Sequence, residues 1–125
     1  MATPQLVVQP ARLNILLQKG STLDRTLVYY SDDTLTVPVD LTGYTARMHV
    51  RGYIDDPAPT FTLTTLNGGI VLGGAAGTVR LVLADTATVD TSWEVGVYDI
   101  ELLPPGGGVR PWLSGGFILT DEVTR

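Results

Sequence analysis

The 125-residue chain has eight Lys and Arg against thirteen Asp and Glu, one histidine and no cysteine. Without cysteine there is no disulfide scaffold, cysteine zinc site or thiol nucleophile, and one histidine excludes a multi-histidine metal centre. A pI near 4.5, with Lys19 the one lysine, argues against nucleic acid as a partner, and no apolar run approaches the ~20 residues of a membrane helix.

The length suits one domain. Abundant Thr and Val, with Gly and Pro as punctuation, point to an all-β chain. The first twenty residues lack the basic start and unbroken apolar core of a signal peptide, which implies synthesis in the cytoplasm. Residues 1–11 are expected to form an extended arm, because Pro4 and Pro10 forbid a helix. Its apolar triplet Leu6, Val7 and Val8 is a candidate partner-binding patch. Residues 12–125 are expected to form the domain.

From Arg12 the chain reads as strands and turns. Leu13 to Gln18 is a strand, and Lys19-Gly20 a turn. Thr22 to Tyr30 is a strand, and Ser31-Asp32-Asp33 a polar turn. Pro38 makes Thr34 to Asp40 an edge strand or a link. Asp40, Thr42 and Gly43 form a corner. Tyr44, Ala46, Met48 and Val50 then alternate with Thr45, Arg47, His49 and Arg51, a half-buried strand. Gly52 to Pro59 is a loop. Phe61 to Thr65, Ile70 to Leu72 and Thr78 to Ala84 are strands separated by Asn67-Gly68-Gly69 and the run Gly73 to Gly77. Asp85 to Trp93 breaks the alternation and reads as one helical turn crossing between sheets, with Asp85 as its N-cap. Glu94 to Leu103 and Val109 to Thr120 are the last strands, joined by Pro104 to Gly108. Gly115-Gly116 suggests a bulge in the last of them. Eight or nine short strands at this spacing, with one short helical turn, are the signature of a β-sandwich or barrel.

The candidate catalytic and ligand-binding residues each have a simpler account. His49 lies on the polar face of its strand with no nucleophile elbow in the sequence, which reads as a surface or interface histidine. Asp32-Asp33 and Asp55-Asp56 lack the alternating oxygens of a calcium loop, and Asx turns explain them. Asp99 and Glu101 share one strand face, the pattern of an acid and base pair in a hydrolase. A cross-strand pairing with Arg47 or Arg51 is simpler. The glycine runs precede no Gly-Lys-Ser/Thr and read as hairpins. Trp112, after Pro111 in the last strand, is a candidate partner-binding residue. No cofactor or metal is implied.

Three stretches, Pro38-Val39-Asp40-Leu41-Thr42-Gly43-Tyr44-Thr45-Ala46-Arg47-Met48-His49-Val50-Arg51, Gly96-Val97-Tyr98-Asp99-Ile100-Glu101-Leu102 and Gly116-Phe117-Ile118-Leu119-Thr120-Asp121-Glu122-Val123-Thr124-Arg125, occur in that order. Together they resemble small structural proteins of tailed bacteriophages, in particular the N-terminal domain of the phage upper baseplate protein. The resemblance implies an immunoglobulin-like antiparallel β-sandwich of eight or nine short strands with one short helical turn, and a non-enzymatic place in the virion, as a tail or baseplate adaptor. Its implied partners are tail, baseplate, fibre or capsid proteins and further copies of itself, with no nucleic acid and no membrane. A head decoration protein with a similar sandwich is the alternative within that class. A carbohydrate-binding module, with Tyr30, Tyr53, Trp93 and Trp112 as stacking rings, is the alternative outside it.

Overall fold

The computed structural model describes residues 11–32 and 34–121; the triplet Leu6, Val7 and Val8 lies outside them. Nine strands among the described residues form two sheets. The larger contains β1 (Ala11–Arg12), β2 (Ile15–Gln18), β4 (Thr45–Arg51), β5 (Phe61–Thr64), β8 (Val95–Leu103) and β9 (Arg110–Thr120). Its order is β9-β8-β4-β5, with β1 and β2 both on the outer side of β9. The smaller has the order β3-β7-β6, from β3 (Leu23–Val28), β6 (Ile70–Leu72) and β7 (Thr78–Leu83). Read in chain order, β3, β7 and β6 occupy the positions of immunoglobulin strands B, E and D, and β9, β8, β4 and β5 those of G, F, C and C′. The chain is an all-β, immunoglobulin-like sandwich.

Alternation builds the core. Ala46, Met48 and Val50 of β4 point inward with Tyr98, Ile100 and Leu102 of β8, and Leu23, Ile70, Val79 and Leu81 close over them from the smaller sheet. Antibody domains fill this centre with a disulfide and a strand-C tryptophan. Here Met48 and Ile100, both fully buried, stand at the middle of β4 and β8. Apolar packing, without a disulfide, fills the centre between the two sheets.

The structure corrects the sequence reading at several points. The sandwich is not antiparallel throughout: β1 and β2 run parallel to β9, with Ala11 opposite Leu113 and Ile15 opposite Phe117. Ala11 therefore belongs to the first strand rather than to an arm. The expected strand from Leu13 to Gln18 is interrupted, because Leu13 and Asn14 bond β9 differently: Leu13 N–H donates to the Ser114 carbonyl at 2.9 Å, and the Asn14 side chain accepts from Gly116 N–H at 2.9 Å.

The bulge is at Trp112, not at Gly115-Gly116. Ile100 pairs with Leu113 and Glu101 with Pro111, so Trp112 is the extra residue. A bulge shifts side-chain parity by one, which turns both Trp112 and Leu113 inward. Trp112 is 7% exposed and its ring lies 5.3 Å from that of Tyr29. It is thus a core residue and presents no partner-binding surface.

There are two 3-10 turns among the described residues, Gly74–Ala76 within the β6–β7 hairpin and Asp85–Thr88 between the sheets. Asp85 is the first residue of the second turn; Ala84 occupies the cap position without a side-chain bond. The anchor there is Thr88, fully buried, whose hydroxyl accepts from Gly20 N–H at 2.9 Å. The Asp40 corner follows the sequence reading. Its carboxylate accepts from Thr42 N–H at 3.0 Å and from the Thr42 hydroxyl at 2.6 Å, and Gly43 takes φ +80°. A side chain is strained in that left-handed region, and glycine is not.

Candidate functional site

The outer face of the larger sheet carries most of the residues singled out from the sequence. Because side chains alternate, β4 presents Arg47, His49 and Arg51 outward and β8 presents Val95, Val97, Asp99 and Glu101. Register then sorts them into cross-strand rows. Arg47 meets Glu101; His49 meets Asp99, which meets Ser114; Arg51 meets Val97, which meets Gly116. A last row is apolar: Val95 meets Ile118, which meets Leu16. Leu16 is 56% exposed and Val95 66%, so nothing in the described chain covers this row.

The first row answers the question of the paired carboxylates. Arg47 Nε donates to Glu101 Oε1 at 2.7 Å, a cross-strand charge pair of the kind expected from the sequence, with Arg47 rather than Arg51 as the partner. Both groups are partly solvated, so the pair contributes on the order of 0.2–1 kcal/mol. Removing Arg47 by Arg47→Ala should lower the stability by no more than about 1 kcal/mol, measured by urea denaturation.

The second row brings Ser, Asp and His together in the wrong order for nucleophilic catalysis. Asp99 lies on the central strand, and Ser114 and His49 lie on the strands either side of it. Two strand spacings separate serine from imidazole by about 10 Å. A general base must reach its proton at about 2.6–3.2 Å. The neighbour that His49 does have is Arg51, whose Nη1 stands 3.4 Å from His49 Nδ1.

Between these rows and the edge strand runs a groove of about 480 Å³. Arg12, Arg51, His49, Asp99, Ile54 and Val97 line it, over Ser114 and Gly115 of β9. The groove exists because β9 comes close to the edge strand where it has no side chains. A Cβ on Gly115 would lie 2.2 Å from the Leu13 carbonyl oxygen. Arg51 Nε donates to the Asp56 carbonyl at 3.2 Å, and Asp56 Oδ2 accepts from Tyr53 N–H at 3.2 Å, which fixes the loop on one wall. Asp56 thus builds a turn, as read from the sequence. Asp32 does so more completely: its carboxylate accepts from Thr36 N–H and Val37 N–H, each at 3.0 Å, and from the hydroxyls of Thr34 and Thr36. The threonine hydroxyl bonds, first that of Thr34, hold its pKa well below the usual carboxylate range. Among the described residues, no three His, Asp or Glu groups converge on a metal site.

Tyr98 forms the inner wall of the groove. It is 4% exposed, and its hydroxyl passes over Gly115 to donate to the Leu13 carbonyl at 2.6 Å. Burial pushes its phenol up to about 12 from an ordinary value of 10.0. The phenol is neutral when protonated, and the folded chain holds that proton more tightly than the unfolded one. Stability is therefore intact below pH 10 and falls as the pH rises toward about 12, by roughly 2–3 kcal/mol in total. Tyr98→Phe should remove about 1 kcal/mol at neutral pH by leaving the Leu13 carbonyl unbonded. It should also flatten the alkaline decline. Urea titrations of both proteins between pH 7 and 12 test this; an unchanged alkaline slope in the variant would assign the decline to another group.

Of the four rings that a sugar-binding reading requires, two are engaged in packing and Tyr30 is half-buried. Trp112 is in the core. Trp93 packs edge-on against Phe61 at 6.2 Å and Phe117 at 6.4 Å, and its indole N–H donates to the Thr60 hydroxyl at 3.1 Å. Tyr53 is the exposed ring, at 67%, and one ring is not a platform. The face itself escaped sequence reasoning. Each of its residues was visible as a polar or apolar position, but the rows depend on pairings between strands up to 102 residues apart, such as that of Leu16 with Ile118.

No protein-family model matches the chain, and no curated protein sequence does. Among solved structures it is similar to one described as Drosophila OTK, extracellular domains 3-5, at 16% identity and a TM-score of 0.40. The match covers 93% of this chain and 35% of that one, so the chain spans about a third of its length.

Proposed function

We propose that the chain is a non-enzymatic structural protein of a tailed-phage virion, an adaptor in the tail or baseplate that joins other virion proteins. The resemblance of the three stretches between Pro38 and Arg125 supplies the class. The observation that carries the reading is the row Leu16–Ile118–Val95, left uncovered by the described residues on the outer face of the larger sheet, beside a groove whose serine and imidazole stand too far apart for proton transfer. An apolar row on a preformed sandwich is the kind of surface that a neighbouring protein buries. The same reading places the chain in the virion after synthesis in the host, in contact with tail, baseplate or fibre proteins.

Mass spectrometry of purified particles made by the phage that encodes the chain tests this directly. The chain should copurify with intact virions at constant stoichiometry, and its absence would sink the reading. A particle reconstruction then separates tail from head: density at the capsid surface would make it a decoration protein instead. Leu16→Glu should reduce incorporation while leaving the melting temperature nearly unchanged, because Leu16 points to solvent.

A further inference from the structure

The turn that carries the chain from β5 in the larger sheet to β6 in the smaller is built around one side chain. Asn67 Oδ1 accepts from Thr64 N–H at 2.9 Å and from Gly69 N–H at 2.8 Å. Its Nδ2 donates to the Thr62 carbonyl at 2.9 Å, and its own N–H donates to the Thr64 hydroxyl at 2.9 Å. β5 is the outermost strand on its side of the larger sheet. The Asn67 amide therefore bonds the free edge of β5 as the backbone of a further strand would, with an acceptor for Thr64 and a donor for Thr62. An uncapped edge is a template for strand addition, and here one amide closes it.

The same bonds prepare that amide for a reaction. The bond from Gly69 N–H to Oδ1 makes an Asx turn, which folds the side chain back over the backbone of the residue between. That residue is Gly68, exposed and at φ +83°, where an added Cβ would meet nothing within 4 Å. Its N–H has no partner among the described residues. The Gly68 nitrogen is thus an unhindered nucleophile held close to the Asn67 amide carbon, and such proximity removes much of the entropic cost of attack. As nitrogen adds to that carbon, negative charge develops on Oδ1, where two N–H donors already point. A cleft of about 270 Å³, lined by Thr62, Asn67, Gly68 and Val82 among others, admits water to the site. Asn14, the other asparagine of the chain, is differently placed. It precedes the fully buried, β-branched Ile15, and its Oδ1 is held across the sheet by Gly116 N–H.

We propose that Asn67 is a site of spontaneous deamidation whose product unlocks the outer edge of β5. The Gly68 nitrogen loses its proton to base and bonds to Asn67 Cγ. The Cγ–Nδ2 bond breaks, and Nδ2 takes up a proton and leaves as ammonia. The resulting succinimide is opened by one water. Opening at Cγ gives aspartate on the ordinary backbone. Opening at the main-chain carbonyl gives isoaspartate, which lengthens the crossing between the sheets by one carbon. Both products lose the donor to the Thr62 carbonyl and gain a negative charge, so the edge that the amide closed stands open. This chemistry is independent of which particle the chain serves.

The experiment is a time course of the purified full chain in mildly alkaline buffer, read by peptide mapping with mass spectrometry and by enzymatic methyl labelling of isoaspartate. A parallel time course runs on the chain unfolded in urea. In the folded chain Asn67 should convert to a mixture of aspartate and isoaspartate, at least as fast as in the unfolded chain, while Asn14 stays an amide. Slower conversion of Asn67 in the folded chain, or none, would overturn the proposal, because the hydrogen bonds would then be a lock on the amide. Two variants test the consequence for the edge. Asn67→Asp has the charge of the product and lacks the donor to Thr62, and its urea midpoint should fall below that of the wild type. Leu66→Asp adds the same charge at a position 88% exposed and leaves the amide in place, so its midpoint should stay near that of the wild type. Equal midpoints for the two variants would overturn the role of the amide in closing the edge.

Discussion

Truncating Phe117 to alanine should lower stability by about 3–5 kcal/mol, the range for a fully buried phenylalanine. The ring is 0% exposed and sits 6.0 Å from Phe61 and 6.4 Å from Trp93. These three rings, with Gly96 opposite Phe117, fill the end of the sandwich where the turn Asp85–Thr88 crosses between the sheets. Collapse cannot refill the space cheaply. Trp93 is held by its bond to Thr60, and a Cβ on Gly96 would already stand 2.5 Å from the Arg51 carbonyl oxygen. The urea midpoint should fall accordingly, and Trp93 emission should shift to the red as its edge contact opens. A loss under about 1.5 kcal/mol would mean that this end repacks like a surface.

The second large effect is expected from adding a single methyl group. Gly115→Ala places a Cβ 2.2 Å from the Leu13 carbonyl oxygen and 2.8 Å from its carbon, both backbone atoms that no rotamer change can move. The edge strand must shift, and three hydrogen bonds go with it: Leu13 to Ser114, Tyr98 to Leu13, and Gly116 to Asn14. At about 1 kcal/mol each, the loss is roughly 3 kcal/mol, with added exposure where β1 and β2 peel from β9. Gly106→Ala is the control, because a Cβ there meets nothing within 4 Å. It should change the midpoint little. Equal effects at the two sites would show that the close approach of Leu13 to β9 does not constrain the edge.

These two positions also show what the sequence reveals and what it conceals. Phe117 is legible as a core residue, because period-two alternation in β9 follows the core face of the sheet from Leu113 to Leu119. The same rule identified β4 and β8 and offered Arg47 or Arg51 as the partner of their carboxylates; the register of the two strands chooses Arg47 for Glu101. Gly115 was legible as special but for the wrong reason. A paired glycine suggests a bulge, whereas here it gives room to a neighbouring backbone. The real bulge, at Trp112, has no glycine and no local signature; it appears only when β9 is laid against β8. The parallel pairing of the first strands with the last is equally invisible, since it joins segments 102 residues apart, Ile15 and Phe117 among them. Leu35 is the sharpest case. Nothing in Ser-Asp-Asp-Thr-Leu-Thr-Val assigns a left-handed backbone to the leucine, and the conformation goes with the backbone N–H groups of Thr36 and Val37 that the Asp32 carboxylate accepts.

The parallel edge has a mechanical consequence. The chain enters β1 at one end of the sandwich and leaves β9 at the other, and these neighbouring segments run in the same direction. Tension applied to the chain on either side of the domain drags β2 and β9 past one another along their shared ladder. The four register pairs from Ile15–Phe117 to Gln18–Thr120 are then strained together in shear. In a hairpin opened from its turn, pairs break one after another under small force; here they must yield at once. The Tyr98 bond to Leu13 resists the same sliding from inside the sandwich. Resistance to pulling is governed by the barrier to unfolding rather than by equilibrium stability. This domain is therefore built to hold when pulled end to end, whatever its melting temperature, and it is the seam between its first and last strands that has to tear first.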